Sequence, residues 1–428
     1  MKDEDEAERA ENVTEVSAEK KKLNADLKDY FLRNVNPESR SLIEEQVKRR
    51  DDLKRQVDDM TKKAPATLVW REKKEPVAAH ILNRGEYDQK GDKVSRDTPS
   101  ALPAFPEDLP RNRLGLANWL ISGENPLTAR VAVNRIWQQF FGTGIVATSE
   151  DFGAQGEHPS HPQLLDWLAT DFVESEWNIK RLVKQIVMSA AYRQKTTASA
   201  DKILRDPENR LLSRGPRFRL DAETLRDQAL AVSGLLVDTV GGSSVKPPQP
   251  DGLWFAVGYS RSNTVRFKQD NGPDKVHRRS LYTFWKRTSP PPQMSTFDAP
   301  SRESCVMRRE RTNTPLQALL LMNDPQYVEA ARHLAQLTLD QKFKSVDEDI
   351  RFLHQRVMGR PLTDDNLKIL KDNFEGNKFE FMRDPGSAAK LLQVGELPVG
   401  PGYDEVRLAS LTMVANLLMN QDEFISKN

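Results

Sequence analysis

The sequence is nearly without cysteine. Among 428 residues there is one, Cys305, so no internal disulfide can form and no Cys-x-x-Cys metal or haem motif can be built. Long apolar runs are missing too. Nothing reaches the roughly 18 residues that a membrane-crossing helix needs. Net charge is almost nil, with 64 Lys+Arg against 63 Asp+Glu. That balance excludes binding to nucleic acid through bulk charge, and any anion would have to meet a local patch. Met1 is followed by Lys2-Asp3-Glu4-Asp5-Glu6, the reverse of a basic and then apolar signal peptide, so no export signal is expected here. There is no Gly-rich phosphate loop, no Gly-x-Ser-x-Gly and no His-Glu-x-x-His, which removes the common nucleotide and hydrolase motifs.

What is present is mostly helical text. Residues 1–63 are highly charged, with Val16, Leu23, Leu27 and Tyr30 or Phe31 at heptad-like spacing. Asn36 is placed to cap a second helix with Pro37 at its first position. Leu42, Ile43, Val47, Leu53, Val57 and Met60 then form a thin stripe. The pattern predicts an antiparallel helical hairpin, coiled-coil-like and serving as a spacer or docking element. Residues 64–107 carry two short strand-like runs, Thr67–Trp70 and His80–Asn83, a turn signal at 88–92 and a Pro-rich connection. His80 reads as a surface or packed histidine.

Residues 108–375 read as a helical domain, and 376–428 as a loop followed by one helix. Helices are expected over Arg111–Ile121, from Asn125 to Phe141, after a Ser160-His161-Pro162-Gln163 capping box, and over Ile179–Tyr192. Others follow Asp221, Thr314 and Asn323, surround Gly359, and span about 404–419. Trp137 and Trp167 are expected in the core. Ser280–Lys286 alternates and predicts a strand. The fold class is therefore mainly α, a multi-helix body with a small β element and an N-terminal helical hairpin.

Several segments share the wording of a known family. They include Arg111-Asn112-Arg113-Leu114-Gly115-Leu116-Ala117, Asn125-Pro126-Leu127-Thr128-Ala129-Arg130-Val131, Asp151-Phe152-Gly153, Arg279–Arg287, Phe297-Asp298-Ala299-Pro300, Arg311–Leu319 and Asn323-Asp324-Pro325. Over about 108–375 the chain closely resembles the planctomycete cytochrome-linked family of domain of unknown function 1553. The resemblance implies a periplasmic or extracellular setting and partnership with a c-type cytochrome domain and domain of unknown function 1549. It implies that this chain is the C-terminal portion of such a protein. Any haem c would sit in a fused or partner domain, since no cofactor is expected in this chain. It carries over no catalytic residues.

Two constellations attract chemistry. His158 and His161 stand three apart beside Glu157, Asp151 and Asp166. They either fix a Pro-rich turn, share a metal, or act in acid–base chemistry. The stretch from Asp298 to Arg311 holds Asp298, Arg302, Glu303, Cys305, Arg308, Arg309, Glu310 and Arg311. Cys305 among guanidinium groups is a candidate thiolate, or a small buried residue in a salt-bridged loop. Arg302 and Arg311 are candidates for forked binding of a carboxylate or sulfate. Any site is expected where loop 151–161 meets loop 297–313, with Asp298, Arg302 and Arg311 pairing mutually. A second basic cluster, Arg214, Arg217 and Arg219, is expected to pair with Asp206, Glu208, Asp221 and Glu223. Trp254, Phe255 and Tyr259 near Arg261 form either a sugar-stacking platform or a partly buried loop. The leading expectation is a helical binding or docking module without nucleic-acid or transmembrane character. The alternatives are a substrate-handling or catalytic domain for anionic polysaccharide, and a redox accessory to a c-type cytochrome.

Overall fold

The computed structural model describes residues 17, 19–64, 66–73, 75, 77–258 and 264–427. The chain divides into two compact units, Met1–Arg96 and Asp97–Asn428. Val16, Tyr259 and Arg261 lie outside the described residues.

In the first unit, helix α1 (19–30) runs into a π-turn at Phe31–Val35, and helix α2 spans Pro37–Lys63. Asn36 caps α2 by accepting from the Glu38 and Ser39 N–H groups (3.1 and 3.4 Å), with Pro37 at the first position as expected. None of the described residues of either helix is buried, and Leu42, Leu53, Val57 and Met60 are all exposed. Strands β1 (Ala79–Leu82) and β2 (Lys90–Val94) form an antiparallel ribbon, with Ala79 opposite Val94 and a bulge before Leu82. His80 Nδ1 lies 3.0 Å from Gly91 O across this ribbon. The run Thr67–Trp70 is not a strand. The ribbon is complete with two members, and Leu68 and Trp70 are exposed with no ladder to join.

The second unit holds two hydrophobic cores. Helices α3 (Arg113–Leu120), α4 (Thr128–Phe141), α5 (Pro162–Glu174) and α6 (Ile179–Met188) open it. Asn125 Oδ1 accepts from the N–H groups of Leu127 and Thr128 at the start of α4. The first core is built by α4, α5 and α6, with Trp137 stacked on Phe141 (centroids 4.1 Å) above Leu165, Phe172, Leu182 and Ile186. Trp137 is buried as expected, but Trp167 is 57% exposed. The inner face of α5 is Leu165, Leu168, Ala169 and Phe172, spaced i, i+3, i+4, i+7. Trp167 falls on the other side of that stripe. The expected capping box is also absent. His161 occupies the N-cap, and Ser160 Oγ instead bonds His161 Nδ1 (3.0 Å) and Ile145 O (3.3 Å).

Short helix α7 (Ala200–Arg205) and strand β3 (Phe218–Arg219) lead to α8 (Ala222–Val232), then the short helices α9 (Leu253–Val257), α10 (Pro273–Val276) and α11 (Pro292–Thr296). Helices α12 (Pro315–Asn323), α13 (Pro325–Leu339), α14 (Val346–Met358), α15 (Asp364–Arg383), α16 (Pro385–Leu392) and α17 (Glu405–Met419) form the second core with α8. The centre is α17, which buries Leu408, Leu411, Val414 and Leu418 against α13 and α15. Helix α18 (Asp422–Ile425) and strand β4 (Ser426–Lys427) follow, and β4 pairs antiparallel with β3. Ser280–Lys286 does not form a strand. Ser280–Tyr282 is a 3₁₀ turn, and only Thr283 makes an isolated bridge, to Val245. The cause is local: the Ser280 N–H donates to Asp227 Oδ1 (2.7 Å), and buried Arg226 grips Val276 O, Arg278 O and Ser280 Oγ. The backbone groups there serve a side-chain hub rather than a ladder.

Candidate anion-binding cleft

A cleft of 1210 Å³ lies between the two cores of the second unit. Trp137 and Phe141 of α4 form one wall, and Phe218, Met358 and Arg360 belong to the other. Helix α4 ends at Gly142 in the left-handed region (φ +81°), where an added Cβ would stand 2.8 Å from the Phe218 ring. Gly215 is as constrained, since a Cβ there would meet Gln194 O at 2.3 Å. The first contact brings Gly142 against Phe218, and the second sets Gly215 against the chain at Gln194.

Among the described lining residues are Arg210, Arg214, Arg217, Arg311 and Arg360, against the acids Glu208 and Glu423. Two of the arginines are neutralised by direct ion pairs, Arg217 with Asp422 and Arg360 with Glu423. The other three are anchored chiefly to backbone carbonyls. Arg210 donates to Gly144 O (3.1 Å) and Ile145 O (3.4 Å), with Glu157 at 3.9 Å. Arg214 gives its fork to Asp206 O (2.7 Å) and Pro207 O (2.6 Å). Arg311 donates to Gly142 O (3.2 Å), stacks 4.4 Å over Phe218, and has Asp221 at 3.9 Å. Its Nε is buried without a hydrogen-bond partner. Burial pushes the Arg311 guanidinium below arginine's ordinary range, with Asp221 opposing, but a group that titrates so far above neutrality stays charged. Carbonyls take the hydrogen bonds of these cations, while Glu157 and Asp221 stand as looser counter-charges to Arg210 and Arg311, leaving Arg214 held by carbonyls alone.

His161 and Arg311 come to this one cleft. His158 does not. It lines a separate 440 Å³ pocket with Arg130, Glu157 and Asp166, and Arg130 is paired with Asp166 at 2.7 Å. Segment 157–162 is the ridge between the two. Among the described residues no group of three or more His, Cys, Asp or Glu side chains is placed to hold a metal ion.

The expected mutual pairing of Asp298, Arg302 and Arg311 does not form. The Asp298 carboxylate accepts from the Thr312 N–H (2.7 Å) and hydroxyl (2.9 Å). Arg302 stacks 4.3 Å over Trp285, whose indole N–H donates to Ser301 O (3.0 Å). Each side chain has a nearer partner than the others of the trio. Cys305 is exposed, not packed. Loop 297–313 does approach the first core, where Arg308 pairs with Glu150 (3.3 Å), while Arg309 holds Glu223 (2.6 Å) on α8. Trp254 is buried, with Lys286 4.9 Å over its ring, while Phe255 is exposed.

Sequence reasoning missed Arg210 and mispaired the cluster around Arg214. Arg217 reaches Asp422, Arg219 donates to Asn313 Oδ1 (2.5 Å), and Arg214 bonds carbonyls. Glu223 goes to Arg309, and Asp206 accepts from the N–H groups of Arg210 and Leu211. The only signal available in the sequence was the density of arginine over 205–219.

Fold and cleft define a mainly helical protein with a basic groove between two packed cores. The family model PSD1, described as a protein of unknown function (DUF1553), matches residues 112–374, and the chain belongs to that family. No curated protein and no solved structure matches it. No helix among the described residues is long and apolar enough to cross a membrane.

Proposed function

We propose that the 97–428 unit is a binding module whose cleft holds an elongated ligand bearing carboxylate or sulfate groups, an acidic polysaccharide segment being the favoured class. One observation carries this reading: Arg210, Arg214 and Arg311 line the cleft with their guanidinium groups hydrogen-bonded to carbonyls, and the carboxylates nearest to Arg210 and Arg311 stand back at 3.9 Å. The volume, 1210 Å³, exceeds the roughly 300–1,000 Å³ of ordinary small-molecule sites and suits several linked residues of a polymer. Arginine's planar fork matches carboxylate and sulfate geometry. A c-type cytochrome partner, a neighbouring domain of unknown function 1549 and a periplasmic or extracellular setting are further proposals that rest on the resemblance.

The test is titration of oligogalacturonate and dextran sulfate, with neutral dextran as control, followed by calorimetry and by tryptophan emission, since Trp137 lines the cleft. The anionic polymers are expected to bind, more weakly as salt rises. Arg210→Gln should weaken them roughly tenfold, the usual scale for one charged hydrogen-bonding group. Equal binding of neutral dextran, or no binding of either anion, sinks the proposal.

A further inference from the structure

His161 is the one histidine among the described residues that line the cleft, and imidazole is the side chain whose charge changes most readily between about pH 5 and 8. Its backbone is held on both sides. Pro162 follows it and keeps it out of the helical region (φ −136°, ψ 77°), and its carbonyl starts α5 by accepting the Leu165 N–H (3.0 Å). The ring is held as well. Ser160 Oγ bonds Nδ1 at 3.0 Å and lies 3.3 Å from Ile145 O. Arg210 donates to that same carbonyl at 3.4 Å, so imidazole and guanidinium share one anchor. Buried Asn134 fixes the neighbouring peptide in turn, bonding both the N–H and the carbonyl of Val146 (2.9 and 3.0 Å). With Nδ1 occupied, Nε2 is left without a partner among the described residues.

We propose that His161 is a ligand-binding residue of the cleft: its Nε2 bonds an anionic group alongside Arg210, and binding takes up a proton from solvent. This rests on the reading of the cleft as an anion site. Arg210, Arg214 and Arg311 line the cleft with the ring, and Glu157 stands 3.9 Å from Arg210. Arg217 and Arg360 are paired with Asp422 and Glu423, which leaves Glu208 as the unpaired acid among the described lining residues. Helix α5 brings its N-terminal end and no acid in its first turn, while Asp166 further along it is paired with Arg130. These charges govern how much of the ring is protonated in the empty cleft, but not the direction of the change on binding. A carboxylate or sulfate within hydrogen-bonding distance favours the imidazolium, whose Nε2–H then donates to it. Binding and proton uptake are therefore linked, and affinity rises as pH falls through histidine's range. Arginine alone gives no such dependence, since it keeps its charge throughout.

Calorimetry of the full chain with dextran sulfate at fixed salt tests this. The sulfate groups stay ionised from about pH 5.5 to 8, so any pH dependence belongs to the protein. Titrations near about pH 6.5 in two buffers of different protonation enthalpy give the protons taken up. The wild type is expected to take up a measurable fraction of one proton, and to bind roughly tenfold tighter at about pH 5.5 than at pH 8. His161→Asn keeps a polar side chain suited to a helix N-cap. It should take up no proton and lose the pH dependence, with its unfolding midpoint held. His158→Asn, altered in the neighbouring pocket, should behave as the wild type. Wild-type binding without proton uptake overturns the role of His161 and leaves the anion cleft standing. So does uptake that persists in His161→Asn or disappears in His158→Asn. Absence of dextran sulfate binding at every pH overturns both.

Discussion

His354 shows how one buried side chain ties stability to pH. It is 2% exposed on α14, and its Nδ1 lies 3.1 Å from Arg360 O, which suits a neutral ring donating its proton. Burial holds its pKa below the ordinary 6.5. In the unfolded chain the same imidazole takes up a proton as pH falls past that value, while the folded one resists. The unfolded state then binds more protons, so stability is present above about pH 6.5 and declines below it, towards the folded pKa. Buried Asp324 and Asp349 have carboxyls pushed upward by burial and act in the opposite sense. The histidine is isolated by comparing urea midpoints of the wild type and His354→Gln at pH 7.5 and 5.5. The wild type is expected to lose more stability across that interval than the variant. Equal losses would refute the assignment.

At the scale of the element, helix phase decides what a tryptophan contributes. Trp137 and Trp167 both sit among leucines, valines and phenylalanines on strong helices, and both look like core residues by composition. On α4 the buried set includes Ala129, Val133, Trp137 and Phe141, a strict i, i+4 series. On α5 the buried set steps around Trp167 instead. Trp137→Ala should therefore cost about 3–5 kcal/mol, the range for large aromatic truncations in a core. Trp167→Ala should cost under about 1 kcal/mol, as surface changes do. Chemical denaturation of both variants checks the pair, and comparable losses would mean the phase is wrong. Caps were more legible than phase. Asn36 before Pro37, Asn125 before Pro126 and Thr314 with Gln317 all act at helix starts, because a cap is a contact within four residues. Ser160 failed as a cap because Ile145 O and the His161 ring compete for its hydroxyl.

On the scale of the whole molecule, the division at Arg96 and Asp97 separates a unit with little buried apolar surface from one with two cores. Folding free energy is carried by apolar burial, so the larger unit should fold without the smaller. A chain of residues 97–428 is expected to keep its helical circular dichroism and a cooperative thermal transition. A broad, non-cooperative melt would contradict that. The cleft belongs entirely to this unit and depends on long-range pairing. Arg311 joins Gly142, and β4 joins β3 across about half of the chain.

The sequence by itself determined the mainly helical class, most helix starts and the basic stretches that supply the cleft. Periodicity and capping act over one to four residues, and that information is written in consecutive letters. The family resemblance was legible for a like reason, since its motifs are contiguous. Only the tertiary structure decided that His161 and Arg311 share a cleft while His158 faces another, that Arg214 anchors to carbonyls, and that on α12 Leu316 and Leu319 face outward while Leu321 is buried. The shared cleft depends on partners more than a hundred residues apart, and even Arg214, whose carbonyls lie only seven and eight residues back, takes them through the fold of its loop. A guanidinium group or a leucine side chain takes whichever neighbour the packed cores bring within a few ångströms, and local spacing holds no record of that choice.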